Sequence, residues 1–215
     1  MRNDNRLEID PRTTALLVVD LQNDFLAPDG AYARGGQASA AMAALPARLA
    51  PLATTLKAGG GLVVASRFTL WPDASGEPMI AAHLHRLRPF LTRGDFAPGS
   101  RGQAVVDALR DTVDVCVDKV AYSAFFQTQL EWVLRHAGIE TVMVAGIVTN
   151  GGVASTVRDA HLRELHAIVL EDACAAFRPA LHAAAIADLS AIAEVVRGAD
   201  AMAALRDASA RHGPA

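Results

Sequence analysis

Short continuous apolar runs alternate along this chain with longer stretches in which apolar positions recur every three or four residues. Ala15-Leu16-Leu17-Val18-Val19 is one such run, and an unbroken run suits a strand covered on both faces of a parallel sheet. Leu62-Val63-Val64-Ala65 follows Gly59-Gly60-Gly61, a natural helix stop. Val113, Val115 and Val117 alternate with Asp114, Cys116 and Asp118, a period of two that predicts a strand nearer a sheet edge. Thr141 to Ile147 and Ala167 to Leu170 supply two more strands, and Ala193 to Val196 a short sixth.

The intervening stretches read as helices. Met42, Leu45, Leu49, Leu52 and Leu56 recur at helical spacing, with the regular helix starting near Pro46 and Pro51. Phe126, Leu130, Val133, Leu134 and Ala137 form an apolar stripe, with Ser123 as N-cap, Gly138 past the end and Phe126 in the core. Val153, Val157 and Ala160 mark the next helix. Leu181–Leu189 and Ala199–Leu205 are the last two, and the tail Ala208 to Ala215 is expected to fray. Strand and helix repeated in this way predict an α/β fold: a three-layer α/β/α, doubly wound, Rossmann-like sheet of six mainly parallel strands. One segment departs from the pattern. Thr69 to Ser100 carries Pro72, Pro78, Pro89 and Pro98, too long and proline-rich for a simple connection, and is expected to form a lid or an active-site wall.

Composition narrows the function classes. A length of 215 residues suits one domain spanning 1–215. A formal charge of −3, with no basic tract, gives no electrostatic case for nucleic acid or an anionic membrane. The run His83-Leu84-His85-Arg86-Leu87-Arg88 reads as a solvated helix face. No apolar run reaches the roughly 18–20 residues of a membrane helix, and the polar start Met1 to Arg6 does not resemble a secretory signal. Cys116 and Cys174 form no metal-type spacing and no disulfide framework. Both are expected to be buried small hydrophobes, and a reducing cytoplasm is the expected compartment.

Chemistry is expected beyond the carboxyl ends of the strands, where open α/β sheets bind ligands. Those ends carry Asp20, Arg67, Lys119 and the turn Val148-Thr149-Asn150-Gly151-Gly152. An acid, two basic groups and a strand-to-helix turn rich in N–H groups are thus predicted to converge on one crevice. Arg67 is a candidate partner for a substrate carboxylate, and Trp71, Tyr122 and Phe125 divide between packing and substrate contact.

Three segments in this order resemble the isochorismatase-like cysteine hydrolases. They are Leu17-Val18-Val19-Asp20-Leu21-Gln22-Asn23-Asp24-Phe25, then Asp118-Lys119 with Tyr122-Ser123-Ala124-Phe125-Phe126, and the turn at 146–157 running on to Arg158-Asp159-Ala160. The resemblance implies that Asp20 and Lys119 are catalytic and that position 152 is the nucleophile's place, where this chain carries Gly152. It also implies a cis peptide at Val148–Thr149, aiming backbone N–H groups at an oxyanion. Val148, Thr149, Gln22, Phe25, Arg67 and Tyr122 are the candidate substrate or oxyanion contacts. Without a thiol, no covalent thioester forms at 152.

The isochorismatases proper work without that cysteine: the aspartate protonates a vinyl ether and water adds. The resemblance therefore favours a metal-free hydrolase of a small polar molecule of the vinyl-ether kind, with water as nucleophile. Val148-Thr149-Asn150 lies closer to the amidohydrolase branch than the Tyr-Ala-His of isochorismatases. A small-molecule amidohydrolase using direct water attack, or a catalytically silent binding protein, are the alternatives. The Asp-x-His of nicotinamidases is absent from Arg67-Phe68-Thr69-Leu70-Trp71, so neither metal nor other cofactor is expected. Family members commonly associate, which implies a homodimer or homotetramer.

Overall fold

A computed structural model describes residues 7–212. The N-terminal half runs β1 (Thr14–Val19), α1 (Asn23–Leu26), α2 (Ala31–Arg34), α3 (Ala40–Ala43), α4 (Leu45–Ala58) and β2 (Leu62–Phe68). Then come α5 (Ala82–Leu87), α6 (Asp107–Arg110), β3 (Val115–Lys119), α7 (Leu130–His136) and β4 (Thr141–Ile147). The chain continues with α8 (Ala154–Leu162), β5 (His166–Ala175), α9 (Pro179–Leu189), β6 (Glu194–Val196) and α10 (Gly198–His212). The six strands form one sheet in the order β3-β2-β1-β4-β5-β6, and every pairing is parallel. The chain starts in the middle, winds out to β3, then returns to build the other half from β4. Strand order therefore reverses between β1 and β4, and a crevice opens at their carboxyl ends.

Side-chain alternation along β1 divides the core into two layers. Leu16 and Val18 pack with Leu49, Leu56 and Leu205 from α4 and α10. Ala15, Leu17 and Val19 pack with Leu134, Val157 and Leu189 from α7, α8 and α9. A third cluster lies outside the sheet layers, where Tyr32, Leu70, Leu91 and Phe96 gather with Phe25 and Phe90. Residues 69–100 contribute much of it, so the segment set apart by its prolines is packed down as a wall.

Several local expectations change. The stripe from Phe126 does not become one helix: Gln127 has φ +54°, so α7 starts only at Leu130 and Phe126 is half exposed rather than core. Ser123 caps a turn instead, accepting from the Phe125 N–H. Cys116 is exposed, not buried, and it lies on β3, one of the two edge strands of the sheet. Helix α4 passes through Pro51 without stopping. The predicted fray beginning at Ala208 is α-helical as far as His212, and the rest of that tail lies outside the described residues. Met1 to Arg6 lie outside them as well. Among the described residues no helix is long and apolar enough to cross a membrane.

Close approach of β4 to β1 depends on Gly146. It has φ +122°, and a Cβ there would lie 2.1 Å from the Val19 carbonyl oxygen. Both the clash and the backbone conformation oppose any side chain. Gly146→Ala is therefore expected to cost about 3–5 kcal/mol, measured by urea unfolding; a loss below about 1 kcal/mol would contradict this reading of the β1–β4 contact.

Candidate active site

The strand ends bring the first two charged residues together. Asp20 follows β1 with φ +58°, a left-handed conformation uncommon for a residue with a side chain. Its N–H continues the ladder to the Ser66 carbonyl, and its carbonyl accepts from the Gln22 N–H. The backbone therefore turns sharply and directs the carboxylate across the sheet end. Lys119, the last residue of β3, reaches back over the ring of Phe68, its Nζ 5.9 Å from the ring centre. Lys119 Nζ lies 2.7 Å from Asp20 Oδ2 and donates to the Ala121 carbonyl. The other carboxylate oxygen, Oδ1, accepts from the Ser66 hydroxyl at 3.0 Å.

The pair is 5% exposed at Asp20 and 2% at Lys119. Burial pushes the Asp20 carboxyl above its ordinary value, prevailing over the opposing pull of Lys119 and the hydrogen bonds. Which of those effects prevails is invisible in the sequence, since it depends on how much water the fold excludes.

Asp20 and Lys119 line a cavity of about 520 Å³ together with Val148 and Gly152, a volume suited to a small molecule. Its wall is mainly apolar and comes from Phe25, Trp71, Met79, Leu84 and Phe177, with Tyr32 and Tyr122 adding hydroxyls. The segment 69–100 therefore forms one side of the site. Gly152 sits on the floor, where a Cβ would lie 3.3 Å from Asp20 Oδ2 but only 2.8 Å from the Ile147 carbonyl oxygen. The turn is closed around a residue with no side chain.

Several expected contacts lie elsewhere. Arg67 is not in the cavity: strand alternation puts it on the face opposite Ser66 and Phe68, and it pairs with the neighbouring strand's Asp118 at 2.7 Å. Gln22 is buried but commits its side chain to the backbone. Its Oε1 accepts from the Phe68 N–H, and its Nε2 donates to the Phe68 and Gln103 carbonyls. Thr149 is fully buried and its hydroxyl pairs with His182 at 2.9 Å, away from the cavity lining. Phe125 packs in the core layer under α7. Phe25, Tyr122 and Trp71 do line the cavity.

The turn itself differs in two respects. Its cis peptide is Ile147–Val148, one residue earlier than expected, at the junction where β4 ends. The N–H groups of Gly151 and Val153 both donate to the Val148 carbonyl, and that of Ala154 is taken within the turn. An oxyanion bound here would have to draw on other donors. Neither cysteine reaches the site. Cys174 is buried against the Val144 carbonyl, with its thiol pushed up to about 12 by burial, and Cys116 is on β3's outer face.

Arg88 is the charged cavity residue that sequence reasoning missed. It follows α5 directly and precedes Pro89, which disfavours helical geometry at the residue before it. With φ −138° and ψ 61°, Arg88 leaves the solvated helix face and turns into the cavity wall. That proline was the available signal.

Residues 14–200 match the family model of the isochorismatase domain. Ureidoacrylate amidohydrolase RutB of Methylobacterium radiotolerans is 34% identical over 200 residues, 85% of this chain and 75% of that protein. RutB of Caulobacter vibrioides is 33% identical over 78% of this chain and 79% of its own length. Among solved structures, a cysteine hydrolase from Pseudomonas syringae pv. phaseolicola has a TM-score of 0.81 at 28% identity, covering 94% of this chain and 97% of that one. The N-carbamoylsarcosine amidase of Thermoplasma acidophilum reaches 0.68 at 28% identity, over 86% of this chain and 96% of that one. A domain match over most of the length, relatives at a third identity and the same parallel sheet lead to one conclusion: the chain belongs to the isochorismatase family of hydrolases.

Proposed function

We propose that this protein hydrolyses a C–N bond of a small amide or ureido compound, with water as the attacking group. The observation carrying this reading is the buried Asp20–Lys119 pair on a cavity floor where Gly152 offers no nucleophile. The ureidoacrylate amidohydrolases among its relatives support the bond type. In the ionised form, Asp20 takes a proton from water as the water oxygen adds to the carbonyl carbon. The tetrahedral intermediate collapses, the C–N bond breaks, and the proton passes from Asp20 to the departing nitrogen. Lys119 holds the carboxylate in place and offsets negative charge developing above it, an effect strengthened by the apolar wall. The resemblance makes 152 the nucleophile's place in cysteine members. Here a side chain at that position would crowd the Ile147 carbonyl, which favours chemistry with no covalent intermediate.

A second reading has its own support. The raised Asp20 carboxyl suits a general acid, and a vinyl ether needs only protonation at carbon followed by addition of water. The two readings call for opposite protonation states of one group.

Turnover of ureidoacrylate and of isochorismate by purified protein, followed against pH, separates them. A base at Asp20 makes kcat/KM fall as pH drops through a value above the ordinary aspartate range of about 3.9. An acid there makes kcat/KM fall as pH rises through that same value. Asp20→Asn is expected to lower kcat by at least about 10²–10⁴-fold while keeping the far-UV circular dichroism unchanged. A variant at full rate excludes both mechanisms, and ligand binding with no product from wild type would indicate a silent binding protein.

Lys119→Met tests the pair itself through stability. Breaking a buried pair by removing one partner costs about 3–5 kcal/mol. The remaining carboxyl, raised further in the fold, binds its proton more tightly there than in the unfolded chain. Stability is therefore retained at low pH and lost as pH rises through the folded value. Urea unfolding should show the deficit at pH 8 and a smaller one at pH 5; an equal deficit at both would mean that Asp20 is not the group left unpaired.

A further inference from the structure

Three formally charged side chains line the cavity: Asp20, Lys119 and Arg88. The first two offset each other at 2.7 Å. Arg88 has no carboxylate partner among the described residues, and its contacts are two phenol oxygens. Its Nε donates to the Tyr32 hydroxyl at 3.0 Å, and its Nη2 donates to the Tyr122 hydroxyl at 3.2 Å. The guanidinium carries five N–H donors in a fixed plane, so most of its donor capacity stays uncommitted. The cavity lining thus keeps a surplus of positive charge against an otherwise apolar wall.

Of the two hydroxyls that hold this charge, that of Tyr32 is firmly packed. Tyr32 is buried and stacks on Phe177 at 5.5 Å and 7° between ring planes. It meets Phe90 edge-on at 5.1 Å and Phe25 at 4.7 Å. Tyr32 itself sits on α2, while Arg88 sits on the proline-rich wall, so the contact joins two separate parts of the cluster. A residue needed only to join them would be served by neutral hydrogen bonding. A half-buried cation without a counter-ion instead carries a desolvation cost that an anionic ligand would offset.

We infer that Arg88 is the carboxylate-binding residue of this cavity, so that the substrate is a small organic acid whose anionic end rests on Arg88 and whose reacting group lies over Asp20 and Lys119. This inference rests on reading the cavity as the active site. A planar fork of donors matches a carboxylate in a bidentate pair, and the apolar wall between the two ends suits a short hydrocarbon or unsaturated spacer. Arg88 takes the role that position alone suggested for Arg67.

Calorimetric titration of wild type, Arg88→Gln and Arg88→Lys with unreactive probes tests the assignment. Benzoate and 3-phenylpropionate are compared with benzyl alcohol and 3-phenylpropan-1-ol, none of which has a bond this family hydrolyses. Wild type is expected to bind the acids on the order of tenfold more tightly than the alcohols. Arg88→Gln should abolish that preference while keeping alcohol binding, and Arg88→Lys should restore part of it. A preference that survives in Arg88→Gln, or wild type showing none, including no acid binding at all, overturns the inference. Because the probes are not turned over, acid selectivity without hydrolysis would leave the Arg88 assignment standing and sink the hydrolase reading. Turnover without acid selectivity would do the reverse.

Discussion

A carboxylate and an ammonium placed 2.7 Å apart at almost no exposure are costly to remove from water, and their attraction compensates only if the geometry is held and the remaining polar valences are filled. Much of the carboxyl edge of the sheet serves that requirement. Three adjacent strands contribute: Asp20 directly follows β1, β2 supplies Ser66 beneath the carboxylate, and β3 ends at Lys119. The ammonium's further bond goes to the Ala121 carbonyl. Among the described residues no buried side-chain polar atom is left without a partner. The left-handed backbone at Asp20 is held in place by the ladder bond to Ser66 and the turn to Gln22.

The wall around the pair has the same logic. An apolar wall strengthens the charge interactions at the cavity floor, and that wall comes largely from a segment with little regular structure. That segment is fastened by buried side chains acting on backbone. Gln22 bridges Phe68 and Gln103, and Gln103 in turn donates to the Thr69 hydroxyl. Asp24 accepts from the Phe96 and Ala31 N–H groups. The polar residues of the opening motif therefore divide their work: Asp20 faces the cavity, while Gln22 and Asp24 anchor the loops enclosing it. Aromatic packing of Tyr32, Phe25, Phe90 and Phe96 fills the space between the anchors.

The sheet order adds a positional constraint. Because β1 lies between β2 and β4, the acid at its end has Ser66 and Lys119 to one side and the Gly152 turn to the other. The absence of a side chain at 146 lets β4 approach β1 closely, and the absence of one at 152 leaves the floor open beside Asp20. Neither glycine contacts a ligand through its own side chain, yet both set the distances on which any chemistry depends.

The sequence by itself determined the strand runs, their parallel pairing and two of the residues on the cavity floor. Buried parallel strands leave unbroken apolar runs and an edge strand an alternating one, and Asp20 and Lys119 sit where such patterns stop. These are local signals, carried by covalent neighbours. Only the tertiary structure decided the rest, because each remaining outcome depends on groups far away in the chain. Arg67 could face a ligand or a neighbouring strand until β3 placed Asp118 beside it. Gln22 could serve substrate or backbone until residues 68 and 103 came within reach. Phe126 lay on a helical stripe that a left-handed Gln127 interrupts. Arg88 belongs to a run that looks solvated in isolation, and it became a cavity residue when the proline-rich wall docked against Tyr32. Burial, which raises the Asp20 carboxyl, exists only once those distant pieces have closed over it.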